Sequence, residues 1–488
     1  MKALKLGLVI LAGLFLVLII GGWWFISTLD VNRYVPQVVE LVAQNTGREL
    51  KVGNARLALS FNKGVVLILN NVSLSDDPRF SDQSFLKAGQ VLLAVDVKVA
   101  LLERSLVISE VSIISPELTI IRAKDGNINA AAIGPVTKVV TSESVPGVKE
   151  AAIAPPALSS GPAGSAAALP ALLVKKLNVK AGVVHYYDRL FEPAIALDVE
   201  KIDLDIKDFS LTAPCDLVLS AAVFSEAENL KVTGRAGIDL LKLAVKFEAV
   251  KAILALDKIV PERLNKALPM LQPAGFKTAK GTLEVRVAKA VLGAKGLQEL
   301  ESEVAVDARS AVLEGINVLA AGLKSITMFP DLLNTVLLDL PPETQADIRQ
   351  GITVIDRMEL LAQVSPELLT LRNAEVITRD LALSCEGTAH LLRQDLDLAA
   401  KLFIAAPLSL VLVNKVPELE GLKKNDGRVY MPFSVKGPML KPKVMPDIDY
   451  LTKKILLKRG QHELEKVLGD PAVGKAVGDL FNSFLKSK

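Results

Sequence analysis

The side chains that most often carry enzyme chemistry are sparse in this sequence. Its 3 histidines, His185, His390 and His462, lie far apart along the chain. His462-Glu463 begins like a zinc-protease motif, but no second histidine follows at the required spacing. The chain also lacks a P-loop, a dinucleotide-binding glycine fingerprint and a nucleophile-elbow serine. We therefore predict no catalytic residues, no metal site and no cofactor.

Acidic pairs with D-x-D spacing occur three times: Asp203/Asp205, Asp395/Asp397 and Asp447/Asp449. On a strand, residues i and i+2 point to the same face, and charged residues are seldom buried without partners. We interpret the first two pairs as parts of a solvated sheet face rather than as metal ligands.

The strongest pattern in the chain is the alternation of aliphatic and polar residues with a period of two. Ile202, Leu204 and Ile206 alternate with charged residues, which is typical of a strand with one wet face. The same pattern gives further candidates for an aliphatic lining: Val91, Leu93, Val95, Val97, Leu283, Val285, Val287, Val304, Val306, Leu396 and Leu398. It predicts a mostly β (α+β) protein whose long antiparallel sheet is polar on one face and aliphatic on the other.

Helical periodicity is limited to a few segments. Residues 33–44 place valines on one face, and Gly47 is positioned to end that helix in a left-handed conformation. Residues 259–271, 316–338 (broken at Pro330) and the tail from Tyr450 are the other predicted helices. The basic, amphipathic tail fits two roles equally well, a helix on a bilayer surface and a cap on the end of the sheet.

The N-terminal residues 6–26 carry no charge and, as a helix, would reach ~32 Å, enough to cross a bilayer core. Lys2 and Lys5 precede this run, which places the rest of the chain outside the cytoplasm. The alternative, a cleaved signal peptide, has a shorter apolar region and small residues at its end. Our candidate anchor residues are Leu6, Leu16, Ile20, Trp23, Trp24 and Ile26.

Composition constrains the partners. The net charge is only +3, which gives no reason to expect nucleic acid. Apolar residues make up 50% of the chain but aromatic residues only 5%, and the mean hydropathy is +0.38. Such a chain has either a large core or an apolar surface that serves another molecule. The 2 cysteines, Cys215 and Cys385, lie in apolar strand-like segments and are predicted to be buried thiols.

These patterns divide the chain into five segments. Residues 1–28 form the cytoplasmic start and the anchor, and residues 29–133 form an N-terminal β unit. Residues 134–170 are rich in Pro, Gly, Ala and Ser and are predicted to be a flexible linker or a loop on a continuous sheet. Residues 171–446 continue the sheet with helical inserts, and residues 447–488 form the amphipathic tail.

The N-terminal region resembles the AsmA family. The motifs that carry the resemblance are Leu29-Asp30-Val31-Asn32-Arg33-Tyr34, Pro36, Thr46-Gly47-Arg48, Asn71-Val72-Ser73-Leu74, Phe80-Ser81-Asp82, Ser115-Pro116-Glu117-Leu118 and Asp125-Gly126. Towards the C-terminus, Gly437-Pro438, Lys441-Pro442 and Pro446-Asp447 resemble the closing strand of the family. Ile128 stands where the family often has a tryptophan.

The resemblance implies a single-pass protein of a bacterial inner membrane with most of its chain in the periplasm. Members of the family resemble chorein-type, bridge-like lipid transfer proteins, in which a long curled sheet forms an apolar groove. The resemblance also implies phospholipids as ligands and a role in outer-membrane homeostasis. The outer membrane and its assembly proteins are further candidate partners.

The residues and the resemblance together predict a protein that binds phospholipid acyl chains and supports lipid transport. The alternative is a scaffold or regulator of outer-membrane protein assembly that closes its aliphatic face on itself. A periplasmic enzyme ranks last, because no residue set supports it. We expect 15 to 18 strands, hence a groove of ~70 to 85 Å, which falls short of a bridge between two membranes.

Overall fold

In the computed structural model, one sheet dominates the described part of the protein. The described residues are 30–60, 63–95, 108–132, 173–192, 194–210, 213–239, 244–268, 275–293, 296–324, 331–365, 367–439 and 441–468. Within them, 17 strands form a single sheet. The strands are β1 (Leu50–Ser60), β2 (Gly64–Ser75), β3 (Ser84–Val95), β4 (Ile108–Arg122), β5 (Leu173–Asp188), β6 (Ile195–Ser210), β7 (Cys215–Val223), β8 (Leu230–Asp239), β9 (Ala244–Ala255), β10 (Thr278–Gly293), β11 (Gly296–Glu314), β12 (Ile352–Val364), β13 (Leu368–Thr378), β14 (Leu381–His390), β15 (Asp395–Ile404), β16 (Val429–Pro438) and β17 (Lys443–Pro446).

The strands pair in chain order, so each strand lies beside the one that follows it. All pairs are antiparallel except β4 with β5, which is parallel. That pair differs from the uniformly antiparallel sheet expected from the sequence. A parallel pair needs a long crossover, and the segment between β4 and β5 is long enough to supply one. The sheet therefore continues across the predicted linker, residues 134–170, which itself lies outside the described residues.

The helices of the described part lie between strands or at the ends of the sheet, and all but the first and the last have at most ten residues. They are α1 (Val35–Thr46), α2 (Pro261–Ala267), α3 (Val318–Lys324), α4 (Leu332–Val336), α5 (Pro342–Gln350), α6 (Ala406–Lys415) and α7 (Ile448–Leu468). The first helix ends as expected, because Gly47 has a φ of 70° and its N–H donates to the carbonyl of Ala43 at 2.9 Å.

One of the predicted helices is shorter than expected, and another is interrupted as expected. The helix predicted over residues 259–271 is only α2, which begins at Pro261 and ends where Leu268 leaves the helical conformation. The segment predicted over residues 316–338 was expected to break at Pro330, and it contains the helices α3 and α4, with residues 325–330 between them outside the described residues. Helices α5 and α6 were not predicted, since each is at most three turns long. The proline in the first turn of each was the available signal, because proline is favoured at the start of a helix.

A line of backbone kinks crosses the N-terminal half of the sheet, with left-handed residues in β2, β4, β5 and β6. Asn71 and Ser115 have φ angles of 51° and 49°, in the left-handed region. Gly89 of β3 lies opposite Asn71 on one side and Ser115 on the other, because the residues before and after each of the three positions are paired with one another. Ala181 in β5 and Lys201 in β6 continue the line, each with a φ of 52°. Glycine kinks and bulges of this kind bend a sheet, which accounts for its curl.

The kinks also shift the alternation of side chains by one residue. In β2, Leu67 and Leu69 pair with Leu93 and Val91 before Asn71, and Val72 and Leu74 are the aliphatic residues after it. Val66 and Ile68 lie on the opposite face, where they form a small buried cluster with Ala94 of β3. A left-handed residue interrupts the two-residue repeat of a strand. The shift places Val72 and Leu74 on the same face as Leu67 and Leu69.

Candidate functional site

One face of the sheet is lined by aliphatic side chains over most of its strands. This face can be followed through the register, since residues paired across neighbouring strands point to the same face. In the middle of the sheet, one cross-strand row is aliphatic throughout and the adjacent row is polar. The aliphatic row is Val179, Leu204, Leu219, Val232 and Ala252. The polar row is Asp203, Ser220, Lys231 and Ile253, in which only the last residue is apolar. We call the surface formed by such aliphatic rows the aliphatic face, and the opposite surface the polar face.

The same division continues along the sheet. Val285 in β10 pairs with Ala252 on one side and with Val306 on the other. The neighbouring residue Glu284 pairs with Asp307, on the polar face. In β14 to β16, the row through Cys385, Ala400 and Phe433 is again aliphatic or aromatic. The aliphatic face therefore runs from the N-terminal to the C-terminal strands.

The predicted lining residues within the described part of the chain lie in such rows, and all of them are half-buried. They are Val91, Leu93 and Val95 in β3, Ile202, Leu204 and Ile206 in β6, Leu283, Val285 and Val287 in β10, Val304 and Val306 in β11, and Leu396 and Leu398 in β15. Val285 and Val287 of β10 pair directly with Val306 and Val304 of β11, and Leu283 pairs with Ala308. The sets in β3, β6 and β15 are separated by other strands. Val97 lies outside the described residues. Contact of these residues with a lipid stays a prediction.

The polar face carries a ladder of ion pairs. Lys180 Nζ lies 2.9 Å from Asp203 Oδ2 and 3.7 Å from Asp205 Oδ2. Asp397 pairs with Lys436 at 3.0 Å. The interpretation of both acidic pairs as solvated strand residues is thus confirmed. Burial alone would raise the pKa of Asp203, but hydrogen bonds from the Ala181 N–H and from Lys180 outweigh it and lower that pKa.

At the C-terminal end, the protein covers the aliphatic face with its own helices. We call this part the covered end. Its core joins strand residues to helix residues, and it consists of Leu319, Ala320, Leu323, Leu333, Val336, Leu340, Leu381, Ala400, Leu402, Ile404, Leu408, Leu412, Leu419, Leu422, Val429, Met431, Phe433, Leu451 and Ile455. It is by far the largest of the clusters of buried apolar residues in the described part of the chain.

Strand β15 crosses the boundary of the covered end. Leu396 and Leu398 are half-buried, whereas Ala400, Leu402 and Ile404 are buried on the same face. The alternating polar residues, such as Lys401, stay exposed along the strand. The two halves of one strand therefore differ only in whether helices lie over them.

The tail helix α7 belongs to the covered end. Leu451 and Ile455 are buried in its core, and Tyr450 packs edge-on against Tyr430 with ring centroids 5.5 Å apart. Of the two roles that the sequence left open, the described part of α7 shows the cap. Leu456, the residue after Ile455, is exposed. The predicted helical residues 473–485 lie outside the described part.

A buried polar cluster near the other end of the sheet was missed by the sequence analysis. Arg48 is buried at the start of β1, with its guanidinium 3.5 Å from Asp76 and 4.4 Å above the ring of Phe85. Arg48 Nη2 donates to the carbonyl of Asn129 at 2.5 Å, and Asn129 Nδ2 donates to Asp76 at 2.8 Å. Burial lowers the pKa of Arg48, although Asp76 opposes the shift.

Arg122 extends this polar region at the ends of β4 and β5. It pairs with Asp188 at 3.2 Å, and both side chains are buried. The hydroxyl of Tyr186 donates to the same carboxylate at 3.0 Å. The signal of these contacts in the sequence was Arg48, which entered the sequence analysis only as part of the motif Thr46-Gly47-Arg48. The contacts link β1, the β2–β3 turn, β4 and β5, and so they hold the parallel pair together.

The described residues contain no group of three or more side chains suited to hold a metal ion. His185 Nδ1 lies 2.6 Å from Asp198, in an exposed contact on the polar face. Cys215 is buried and Cys385 is half-buried, and both are free thiols. Burial raises the pKa of each thiol, so neither behaves as an activated nucleophile.

Among the helices of the described part, none is long and apolar enough to cross a membrane. The predicted anchor residues Leu6, Leu16, Ile20, Trp23, Trp24 and Ile26 lie outside that part, so the anchor stays a prediction.

A comparison with protein families identifies the N-terminal half of the chain. The model of the AsmA family matches residues 1–259, which is more than half of the 488-residue chain. No curated protein sequence gives a significant match. The matched region runs from the N-terminus through β9 and includes the kink line and the buried polar cluster. The chain therefore belongs to the AsmA family.

Proposed function

We propose that the protein binds phospholipid acyl chains on the open part of its aliphatic face and supports lipid transport across the cell envelope. The observation that carries this proposal is the half-buried state of the aliphatic rows through Leu204 and Val285. Residues of the same type in the covered end, such as Leu402, are buried by helices. The open rows leave apolar surface in contact with solvent, and a lipid tail would remove that contact.

The energy available for such binding is substantial. At ~25 cal/mol per Å² of apolar area, a tail that buries a few hundred Å² gains several kcal/mol relative to water. Val, Leu, Ile and Ala offer no directional bonds, so a bound tail can slide along the rows. This transfer needs no bond cleavage, and the AsmA family is not a known enzyme family.

The proposed location follows from the N-terminal segment. Residues 6–26 would anchor the chain in the bacterial inner membrane, and Lys2 and Lys5 would keep its start in the cytoplasm. The sheet would then lie in the periplasm. Its 17 strands, ~4.8 Å apart, give a path of about 80 Å. A partner at the outer membrane, or a lipid carrier, would complete the route.

Native mass spectrometry of the full-length protein tests the proposal. Leu204→Asp places a carboxylate in an aliphatic row, whereas Val218→Asp places the same group on the polar face, where Val218 is exposed and pairs with Asp205. We expect bound phospholipid to fall at least tenfold in the first variant and to stay at the wild-type level in the second. Lipid held by the anchor is common to both proteins. Equal lipid content in the two variants would refute the proposal.

The covered end favours a second function, a scaffold for the assembly of outer-membrane proteins. There the protein covers its aliphatic face with its own helices. In the open part, a bound partner protein could cover the face in the same way. In that case, crosslinkers placed at Leu204 would capture envelope proteins and no lipid, and Leu204→Asp would leave the lipid content unchanged.

A further inference from the structure

Helix α1 and the turn before it expose a stripe of large apolar side chains. Tyr34, Val38 and Leu41 are 62%, 49% and 60% exposed. Their spacing of four and three residues places them on one side of the helix. No other residue in the described part of the chain covers them. Such a stripe is unusual on a helix that already packs against the protein through a different face.

The other face of α1 is fixed to the sheet. Val35, Val39 and Val42 are half-buried, and α1 lies against β1, the first edge strand. In the turn before α1, Asn32 Oδ1 accepts a hydrogen bond from the N–H of Ala55 in β1 at 2.8 Å. The helix ends at Gly47, and the next residue is the buried Arg48. The stripe is therefore held in a fixed direction relative to the aliphatic face.

The length of the preceding chain limits what can reach the stripe. Ile26, the end of the uncharged run, is separated from Asp30 by only ~14 Å of fully extended chain. A helix that follows a membrane anchor this closely lies at or near the headgroup region. Tyrosine is enriched at that depth, where its ring is apolar and its hydroxyl is hydrated.

The chemistry of the stripe also fits a bilayer better than a second protein. Three side chains provide far less than the ~1,200 Å² that a stable protein interface buries. Arg33 and Glu40, both exposed, give this segment opposite charges, so its attraction to a membrane would be apolar rather than electrostatic.

We propose that α1 lies on the surface of the inner membrane with Tyr34, Val38 and Leu41 inserted at headgroup depth. This inference rests on the membrane anchor of the proposed function and goes beyond it. Because β1 follows α1 directly, the docked helix places the first strand of the aliphatic face beside the bilayer. A lipid could then enter the face at β1 without crossing a wide aqueous gap.

Spin labels on the full chain in phosphatidylcholine nanodiscs test this proposal. With Cys215 and Cys385 replaced by serine, one label is attached at Leu41→Cys and a control label at Ala43→Cys, which is exposed on a different side of α1. We expect the Leu41 label to be several-fold more accessible to oxygen than to a water-soluble nickel reagent, and the Ala43 label to show the reverse. Addition of phosphatidylglycerol should leave the Leu41 result unchanged.

Two results would overturn the proposal. The first is equal, aqueous accessibility at both positions, and the second is protection of the Leu41 label from both reagents, which would indicate a protein contact such as a second copy. Either result leaves the lipid content measured with Leu204→Asp unaffected, so a failure of the docking is distinguishable from a failure of lipid binding. A chain that does not insert into nanodiscs would overturn the anchor and the docking together.

Discussion

The open part of the aliphatic face and the covered end are built from the same residue types with the same alternation. Leu396 and Leu398 are half-buried, while Leu402 and Ile404, further along the same strand, are buried. The strand sequence does not account for this difference. The difference comes from helices in three connections: α3 to α5 between β11 and β12, α6 between β15 and β16, and α7 after β17.

The comparison indicates how one sheet can serve two purposes. Where long connections contain apolar helices, the aliphatic face becomes the hydrophobic core that stabilises the fold. Where strands are joined by short turns, as from β5 to β8, the same kind of face stays partly open to solvent. Substitutions in the two regions should therefore affect different properties, stability in one and lipid binding in the other.

The largest effect on stability is expected from a charge in the covered end. Leu412 in α6 is 0% exposed, and Leu410 in the same helix is 58% exposed. Leu412→Asp would bury a carboxylate without a partner and should cost about 3–5 kcal/mol of unfolding free energy. Leu410→Asp should change it by less than about 0.5 kcal/mol. Thermal unfolding followed by circular dichroism measures both, and similar losses would contradict the assignment of this core.

Alanine substitutions along β15 test the boundary between the two regions. Leu402→Ala removes a buried side chain from the covered end and should cost about 2–5 kcal/mol. Leu398→Ala removes a half-buried one from the open part and should cost about 1 kcal/mol. Urea unfolding of the two variants gives the difference. Equal costs would mean that Leu398 is also covered by the protein itself.

A glycine pair tests how closely β14 and β15 approach in the open part. Gly387 has a φ of 140°, and a Cβ there would lie 2.3 Å from the carbonyl oxygen of Asp397. Gly437 has a φ of 95°, but no atom lies within 4 Å of its Cβ position. Gly437→Ala measures backbone strain alone, of order 1 kcal/mol. Gly387→Ala should cost about 1–3 kcal/mol more, and no difference in urea unfolding would contradict the close approach.

The smallest effect concerns the buried polar cluster at the opposite end of the sheet. Burial, together with the adjacent Asp188 carboxylate, raises the pKa of Tyr186 from 10.0 to about 12. The raised pKa favours the neutral phenol in the folded state. This contribution to stability is complete below pH 10 and is lost as the pH rises towards 12.

The ultraviolet absorbance of tyrosinate, compared between the wild type and Tyr186→Phe, isolates this group. The difference titration should have its midpoint near pH 12. A midpoint near pH 10 would show that Tyr186 is exposed to solvent and that its contact with Asp188 is not formed.

The alternation of aliphatic and polar residues was enough to predict a long, mostly antiparallel sheet with two unlike faces. It could not predict the kinks, because Ala181 and Lys201 are not residues that favour left-handed backbone. The parallel pair of β4 and β5 was missed, since the contacts that hold it, such as Arg122 with Asp188, join residues distant in sequence. Helical patterning identified the tail but not its role. That role depends on packing against residues such as Leu419, in the 3-10 helix Pro417–Leu422, and Met431 in β16.

The sequence also could not predict whether a row of the sheet is open to solvent or covered by helices. Leu398 and Leu402 have the same local pattern, and only tertiary contacts with helices separate them. The candidate lining could thus be predicted as a set of residues, but not its division into a part that is free for a ligand and a part that is not.

Site-specific photocrosslinking of the full-length protein in cells tests the central claim most directly. A photoreactive amino acid is placed at Val285 in the open aliphatic face, at the neighbouring Arg286 on the polar face, and at Leu410 on the exposed surface of the covered end. We predict phospholipid adducts at Val285 and none at the other two positions. Absence of lipid adducts at Val285, or equal adduct levels at Val285 and Arg286, would contradict the account.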